Sequence, residues 1–198
     1  MIYAGSKSAL ELALCALLVL LAGQPAWAMD RSSQVVFGLS GKVVRIADGD
    51  TLAIKVQAGR NITIRLSDMD TPELGDGGKR RKKGKGRPSQ PGGKAAAASL
   101  RQLAGVGNIV SAECYEIDGY GRPVCHVFAG DLNLNLEQIQ RGWGWLPERA
   151  DWVRDPASRD AEARARAGRL GAWGLRGQVS PARWRKDCWQ GGKCPGAE

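Results

Sequence analysis

Three consecutive runs in which apolar and polar residues alternate, about 41–47, 51–57 and 60–67, constrain this chain more than any other feature. Alternation of period two sends one set of side chains to each face of a strand. In the third run Ile62, Ile64 and Leu66 face one way, and Asn61, Thr63 and Arg65 the other. Asp48-Gly49 parts the first two runs and Ala58-Gly59 the next two. Asp-Gly between alternating segments predicts a hairpin closed by a type I′ turn, with positive φ at both central positions. The chain therefore opens as an antiparallel meander.

The third run leads into Arg65-Leu66-Ser67-Asp68-Met69-Asp70-Thr71-Pro72-Glu73, where the proline ends the strand. One guanidinium and the carboxylates of Asp70 and Glu73, with Asp68 on the way, arrive at one strand end. Asp48-Gly49-Asp50-Thr51 lies just upstream. An unpaired buried charge is costly, so packing does not account for such a cluster. The carboxylates call for a cation and the arginine for an anion, which points to metal-assisted phosphodiester chemistry. Asp48 reads equally well as a turn residue with no chemistry, whereas Asp50 lies beyond the turn.

From Leu74 to Gly93 the pattern lapses. Lys79, Arg80, Arg81, Lys82, Lys83, Lys85 and Arg87 are interspersed with glycine, proline, serine and glutamine, and no apolar residue after Leu74 anchors them. Residues 74–93 read as a basic, flexible loop that can touch a polyanion. Lys94 to Leu103 resumes as a helix stopped by Gly105. A second hairpin follows over about 108–117 and 122–129. Leu132, Leu136 and Ile139 then fall on one face of a helix that Gly142 stops, and Trp143 and Trp145 read as packing residues. Asp155-Pro156 supplies an N-cap and an N1 proline for a helix over 156–168, with Ala157, Ala161, Ala165 and Ala167 as its narrow face. Five strands, with a helix between the third and fourth and more helices after the fifth, predict an α+β, mainly β fold: a five-stranded OB-type Greek-key barrel with about three helices.

Residues 1–28 read as a cleaved secretory signal. Lys7 lies in the n-region, Leu12 to Ala22 form an apolar core, and Ala26-Trp27-Ala28 gives the small-x-small site, so that the mature chain starts at Met29. The apolar run is shorter than the roughly 20 residues that span a bilayer. Residues 29–40 form an extended lead-in, 41–175 the catalytic domain and 176–198 an appended tail. The protein is thus expected outside the cytosol, periplasmic or extracellular. Export leaves Cys114, Cys125, Cys188 and Cys194, an even number that implies two disulfides. Cys114 and Cys125 flank Asp118-Gly119-Tyr120-Gly121 almost symmetrically and Cys188 lies near Cys194, so the expected pairs are 114–125 and 188–194. A net charge of +9 favours a nucleic acid partner. No feature calls for a stable protein partner or, after cleavage, a membrane, and the chain reads as a monomer. His126 is the only histidine, too few for a zinc or histidine-based site.

Asp48-Gly49-Asp50-Thr51, Arg65-Leu66, Asp70-Thr71-Pro72-Glu73 and Tyr120-Gly121-Arg122 stand in an order and spacing that resemble the thermonuclease (staphylococcal nuclease-like) family. The stretch from Asn135 to Trp145, Gly171-Ala172-Trp173, Pro181 and Trp184-Arg185 extend the likeness over roughly 41–185. The resemblance implies an OB-type barrel and a Ca2+-dependent nuclease acting on DNA and RNA to leave 3′-phosphates. It implies that Asp50 and Asp70 bind the calcium with the main-chain carbonyl of Thr71, and that Glu73 activates the attacking water. Arg65 and Arg122 would grip the scissile phosphate, and Tyr120 would be structural or touch the nucleotide. The basic loop after Glu73 departs from the family pattern.

The chemistry agrees with those roles. Calcium takes six to eight oxygens, which two carboxylates, a carbonyl, water and a phosphate oxygen can supply. Paired guanidinia suit the charge that builds on a phosphoryl group, and lysine lacks their planar fork. The competing class is an OB-type module that holds single-stranded nucleic acid without cutting it. Such a module has no use for Asp50, Asp70 and Glu73 together, because without a metal they repel phosphate.

Overall fold

The computed structural model describes residues 34–76, 86–194 and 196. The signal segment 1–28 and Lys79, Arg80, Arg81, Lys82, Lys83 and Lys85 lie outside the described residues. The alternating runs form β1 (Phe37–Ile46), β2 (Thr51–Val56) and β3 (Asn61–Leu66), followed by α1 (Gly93–Ala104), β4 (Ile109–Ile117) and β5 (Pro123–Ala129). A two-residue β6 (Leu132–Asn133) leads into α2 (Leu134–Gln140), then α3 (Ala157–Ala167) and the single turn α4 (Pro181–Trp184). Four α-helices are thus described, in keeping with the about three expected, the fourth being a single turn. Among the described residues no helix is long and apolar enough to cross a membrane.

Antiparallel pairing runs β3-β2-β1-β4-β5, and a short parallel pairing of Arg65 with Val124 and Leu66 with Cys125 joins β3 to β5 and closes the barrel. β1 serves two neighbours: Phe37 to Lys42 pair with β4, and Gly41 to Ile46 with β2. Gly41 sits at the crossover, where a Cβ would lie 2.6 Å from the Lys55 carbonyl oxygen. Register shifts between Val43 and Arg45, and between Cys114 and Glu116, bend the long strands, as bulges do. β1 therefore begins inside the expected lead-in: Phe37, Gly38, Leu39 and Ser40 are ladder residues, because β4 offers them partners that the local pattern does not reveal.

Val43, Leu52, Ile54, Ile64, Leu66, Val110 and Val127 fill the barrel, and α1 and α2 add Leu100, Leu103, Leu134 and Ile139. Each such side chain contributes roughly 1.5–3 kcal/mol when fully buried. Leu132 is not among them: it is 42% exposed in β6, and Leu134 takes the buried position expected of it. Asp155 Oδ1 accepts from the Ala157 amide at 2.9 Å, the expected cap, and Ala161 and Ala165 face the core. Cys114 and Cys125 occupy facing positions on β4 and β5 and form a disulfide, and Cys188 is bonded to Cys194.

The Asp48-Gly49 connection is not a type I′ turn, since neither residue has positive φ. Three residues bridge the hairpin, closed by the Ala47 amide donating to the Thr51 carbonyl at 2.8 Å. The glycine is required for space: a Cβ there would stand 2.6 Å from Thr71 Oγ1 and 2.8 Å from Ala96 Cβ.

Residues 86–93 also differ from the open loop expected. Gln90 is fully buried, accepts from the Glu73 amide through Oε1 at 3.2 Å and donates to the Val179 carbonyl at 2.8 Å. Arg87 and Asp76 exchange hydrogen bonds across the base of the loop. Polar side chains anchor this segment, so a search for apolar anchors misses it.

Candidate active site

β3 delivers Arg65 and, one turn later, Asp70 and Glu73 to a cleft of about 660 Å³ that Asp48, Asp50 and Arg122 also line. Arg65 links the two strand ends, with Nη1 donating to Asp50 Oδ2 at 3.1 Å and Nη2 to Asp70 Oδ1 at 2.9 Å. The Asp50 charge chiefly, and Asp70 next, hold that guanidinium firmly protonated. Nη2 also donates to the Met69 carbonyl at 3.2 Å, which leaves Nε–H and one Nη1 hydrogen for a further acceptor.

Asp50 is buried, and its Oδ1 accepts from Thr51 Oγ1 at 2.9 Å. Its Oδ2 also accepts from the Thr71 amide at 3.3 Å, so the hairpin loop and the segment after β3 are tied at this carboxylate. Asp48, read as a turn residue, accepts from the Asp50 amide at 3.1 Å. Burial, then the neighbouring Asp50 charge, push its carboxyl well above the usual range. Asp70 is fixed through its backbone, which exchanges two hydrogen bonds with Trp145 (2.8 and 2.7 Å). Trp145 in turn packs on Trp173 with ring centroids 4.0 Å apart. Burial raises the Asp70 pKa, but Arg185 and Arg65 outweigh it and keep the carboxyl below its ordinary value.

Glu73 is held by Gln90 at its backbone and by Arg185 at its carboxylate, where Arg185 Nη1 donates to Oε1. Burial pushes this carboxyl up to about 7, with Arg185 opposing the rise and the Asp50 and Asp70 charges adding to it. A carboxyl poised near neutrality is what a general base at neutral pH requires. Arg122, at the entry to β5, is clamped by Asp118 through Nε at 2.8 Å and Nη2 at 2.7 Å, leaving Nη1 3.4 Å from Thr51 Oγ1. Tyr120 is 89% exposed, with the Arg122 guanidinium 5.4 Å from its ring centroid.

Two residues change standing. Asp68 has φ 64° and turns away from the cluster: its Oδ2 accepts the amides of Arg154 (3.0 Å) and Asp155 (2.7 Å) and lies 3.3 Å from His126 Nε2. It docks the start of α3 on the barrel, and His126, whose Nδ1 meets the Tyr115 hydroxyl at 2.7 Å, belongs to that network. Arg185, which in the sequence only extends the likeness to the family, enters the cleft. It comes from the segment expected to be an appended tail, yet its Nη2 meets Asp70 Oδ2 at 2.7 Å while Nη1 holds Glu73. Trp184, 2% exposed, and the Cys188–Cys194 disulfide fix that segment. Sequence carries one signal of this, a tryptophan beside the arginine in a stretch otherwise rich in glycine and charge.

The donor set suits a hard cation. Each carboxylate has four lone-pair sites. Asp50 uses them on Thr51, Arg65 and Thr71, and Asp70 on Arg65 and Arg185, so both retain capacity. All available donors are oxygens, which favours calcium or magnesium over zinc. Among the described residues no three His, Cys, Asp or Glu side chains form a ready-made cage. An ion here would rest on two carboxylates, a carbonyl such as that of Thr71, and water or substrate oxygens.

The model of the staphylococcal nuclease homologue family matches residues 63–174, leaving Asp50 before the matched span and Arg185 after it. A micrococcal nuclease of Shigella flexneri is 32% identical over 191 residues, covering 91% of this chain and 95% of the relative. An uncharacterized endonuclease of Haemophilus influenzae is 28% identical over 145 residues, 73% of this chain and 72% of its own length. A probable staphylococcal-like nuclease of rice is 27% identical over 153 residues, 74% of this chain and 33% of the relative. The barrel, the arginine-carboxylate cleft and these likenesses agree: the chain belongs to the staphylococcal nuclease homologue family and is a nuclease.

Proposed function

We propose that the protein is an exported, calcium-dependent nuclease that hydrolyses DNA or RNA at the Asp50–Asp70–Glu73 cleft. The observation that carries this reading is the meeting of those three carboxylates with Arg65, Arg122 and Arg185 in one cleft. Calcium held by Asp50, Asp70 and the Thr71 carbonyl would polarise a phosphoryl oxygen and offset the charge of the site. Glu73 takes a proton from water, the new O–P bond forms in line, and the P–O bond to the leaving nucleoside oxygen breaks, that oxygen being protonated from solvent. Arg65 and Arg122 donate hydrogen bonds to the equatorial oxygens as their charge grows. Asp118 aims the Arg122 fork. Arg185 positions Glu73 and Asp70 relative to each other. Lys79, Arg80, Arg81, Lys82, Lys83 and Lys85, with Arg87, serve encounter with the polyanion.

The signal-like start and the two disulfides support export to an oxidising compartment. The test is hydrolysis of plain DNA and RNA with calcium and with excess chelator. Activity should vanish with chelation, and Asp50→Ala or Asp70→Ala should lose calcium affinity and activity together. Full activity in chelator would overturn the calcium assignment. N-terminal sequencing of the exported protein should read from Met29.

A further inference from the structure

Helix α2 turns Leu134, Asn135, Gln138 and Ile139 to the interior. Two of these are the aliphatic residues that a packed helix face calls for. Asn135 ties the chain after β3 to β5 by donating to the Ser67 and Cys125 carbonyls at 3.1 and 2.9 Å. Gln138 has no part in that tie, yet its amide is fully buried, a position that leucine would fill without burying a polar group. Each of its polar groups is matched. Oε1 accepts from Ser99 Oγ at 2.6 Å, and Nε2 donates to the Ala96 carbonyl at 3.1 Å and to the Gly49 carbonyl at 2.8 Å. The side chain thus joins α2 to α1 at two points and to the loop between β1 and β2 at a third. A buried network with every member satisfied is rigid.

The third point bears on the cleft. The Gly49 carbonyl and the Asp50 amide belong to one planar peptide. Gln138 holds its carbonyl end, and its N–H end donates to Asp48 Oδ1 at 3.1 Å. The Asp50 carbonyl accepts from the Leu66 amide at 2.8 Å, so the backbone is fixed on both sides of the Asp50 Cα. Only the χ angles of Asp50 remain to aim its carboxylate. Helix α1 is also the wall behind Glu73: a Cβ on Gly93, its first residue, would stand 2.2 Å from the Glu73 carbonyl oxygen. Fastening the Gly49 loop to Ala96 and Ser99 of that same helix therefore fixes Asp50 relative to Glu73.

We propose that Gln138, oriented by Ser99, is a positioning residue of the reaction: it holds the Gly49–Asp50 peptide so that Asp50 meets the cation in a set relation to Glu73. This rests on the calcium-dependent reading and adds to it a residue that touches neither metal nor substrate.

The test compares Gln138→Met, which keeps the length of the side chain and removes its donors, with Ile139→Val, a change on the same helix that leaves the joint intact. Two quantities are read without nucleic acid: calcium affinity by titration calorimetry, and amide exchange of residues 47–51 in chelator by mass spectrometry. Groups that orient a metal ligand typically govern affinity by about 10–100-fold, and the lower figure suits a residue acting through the backbone. Gln138→Met should therefore bind calcium about tenfold more weakly. Residues 47–51 should exchange about tenfold faster, the opening that one lost hydrogen bond allows. Ser99→Ala, a milder change to a good helix former, should shift both readouts in the same direction, and it decides the matter if Gln138→Met fails to fold. Ile139→Val should lower the melting temperature by about 2–4 °C and move neither readout. Wild-type calcium affinity or wild-type exchange in Gln138→Met, or in Ser99→Ala in its place, would overturn the proposal. So would an equal loss in Ile139→Val, which marks a general loosening of α2. Calcium binding by the unaltered protein is scored separately. Its absence removes the calcium reading and with it the role toward a cation, while the exchange rates, taken in chelator, still decide whether Gln138 holds the loop.

Discussion

Replacing Arg185 with alanine should move two observables in opposite directions. The guanidinium holds Asp70 Oδ2 at 2.7 Å and also holds Glu73 Oε1, with 36% of its side chain exposed. Hydrogen bonds between charged groups contribute roughly 1.5–3 kcal/mol each, and partial exposure places these at the low end. At Asp70 the lost bond no longer competes with a cation. About 1.5 kcal/mol is then available to calcium, which corresponds to roughly tenfold tighter binding by titration calorimetry. At Glu73 the lost bond frees the carboxylate to turn, and a misplacement of about 1 Å costs on the order of 10²-fold in kcat. The acid limb of the rate profile should also move to higher pH, because Arg185 opposes the rise of the Glu73 pKa to about 7. Arg185→Lys keeps the charge but not the two-pronged reach, so it should fall between the two. Unchanged or weaker calcium binding together with an unchanged kcat would refute the positioning role.

Glu73→Gln should cut kcat by about 10²–10⁴-fold, the usual contribution of a general base, while oligonucleotide affinity in chelator is retained; near wild-type turnover would require another water activator. Gly49→Ala should lower the melting temperature, because overpacking of this kind costs about 1–3 kcal/mol and a Cβ would press on Thr71 and Ala96; an unchanged melting temperature would show that the site yields. Asp118→Asn should lower kcat/KM about tenfold by loosening Arg122, one charged hydrogen bond at the low end of its range. Burial works to raise the Asp118 pKa, but hydrogen bonds from Arg122 and Tyr120 hold it below the ordinary value. Its stabilisation is therefore complete above an unfolded value of about 3.9 and is lost as pH falls through the folded value. The difference in melting temperature between Asp118→Asn and wild type should accordingly shrink in acid, and a constant gap would remove Asp118 from the linkage.

Sequence alone determined the elements whose information is local. Period-two alternation placed β2 and β3 within a residue or so, because burial of one strand face is written in consecutive residues. The stretch from Arg65 to Glu73 announced a charged site, because nine residues of chain cannot spread those charges far apart. Facing positions for Cys114 and Cys125 followed from the symmetry of one hairpin.

Only the tertiary structure decided what depends on distant partners. Phe37 to Ser40 are strand because β4 lies beside them. Gly49 is glycine because Thr71 and Ala96 crowd it, not because its backbone needs a positive φ. Asp68 and Asp70, two residues apart in one charged run, serve different ends: the positive φ of Asp68 turns it to α3 while Arg65 and Arg185 hold Asp70 at the cleft. Arg185 lies 112 residues beyond Glu73 along the chain, and only closure of the barrel with the Trp184 segment packed against it brings the two side chains together. Such an ion pair leaves no periodic trace in sequence, because its geometry is set by the packing of everything between its partners.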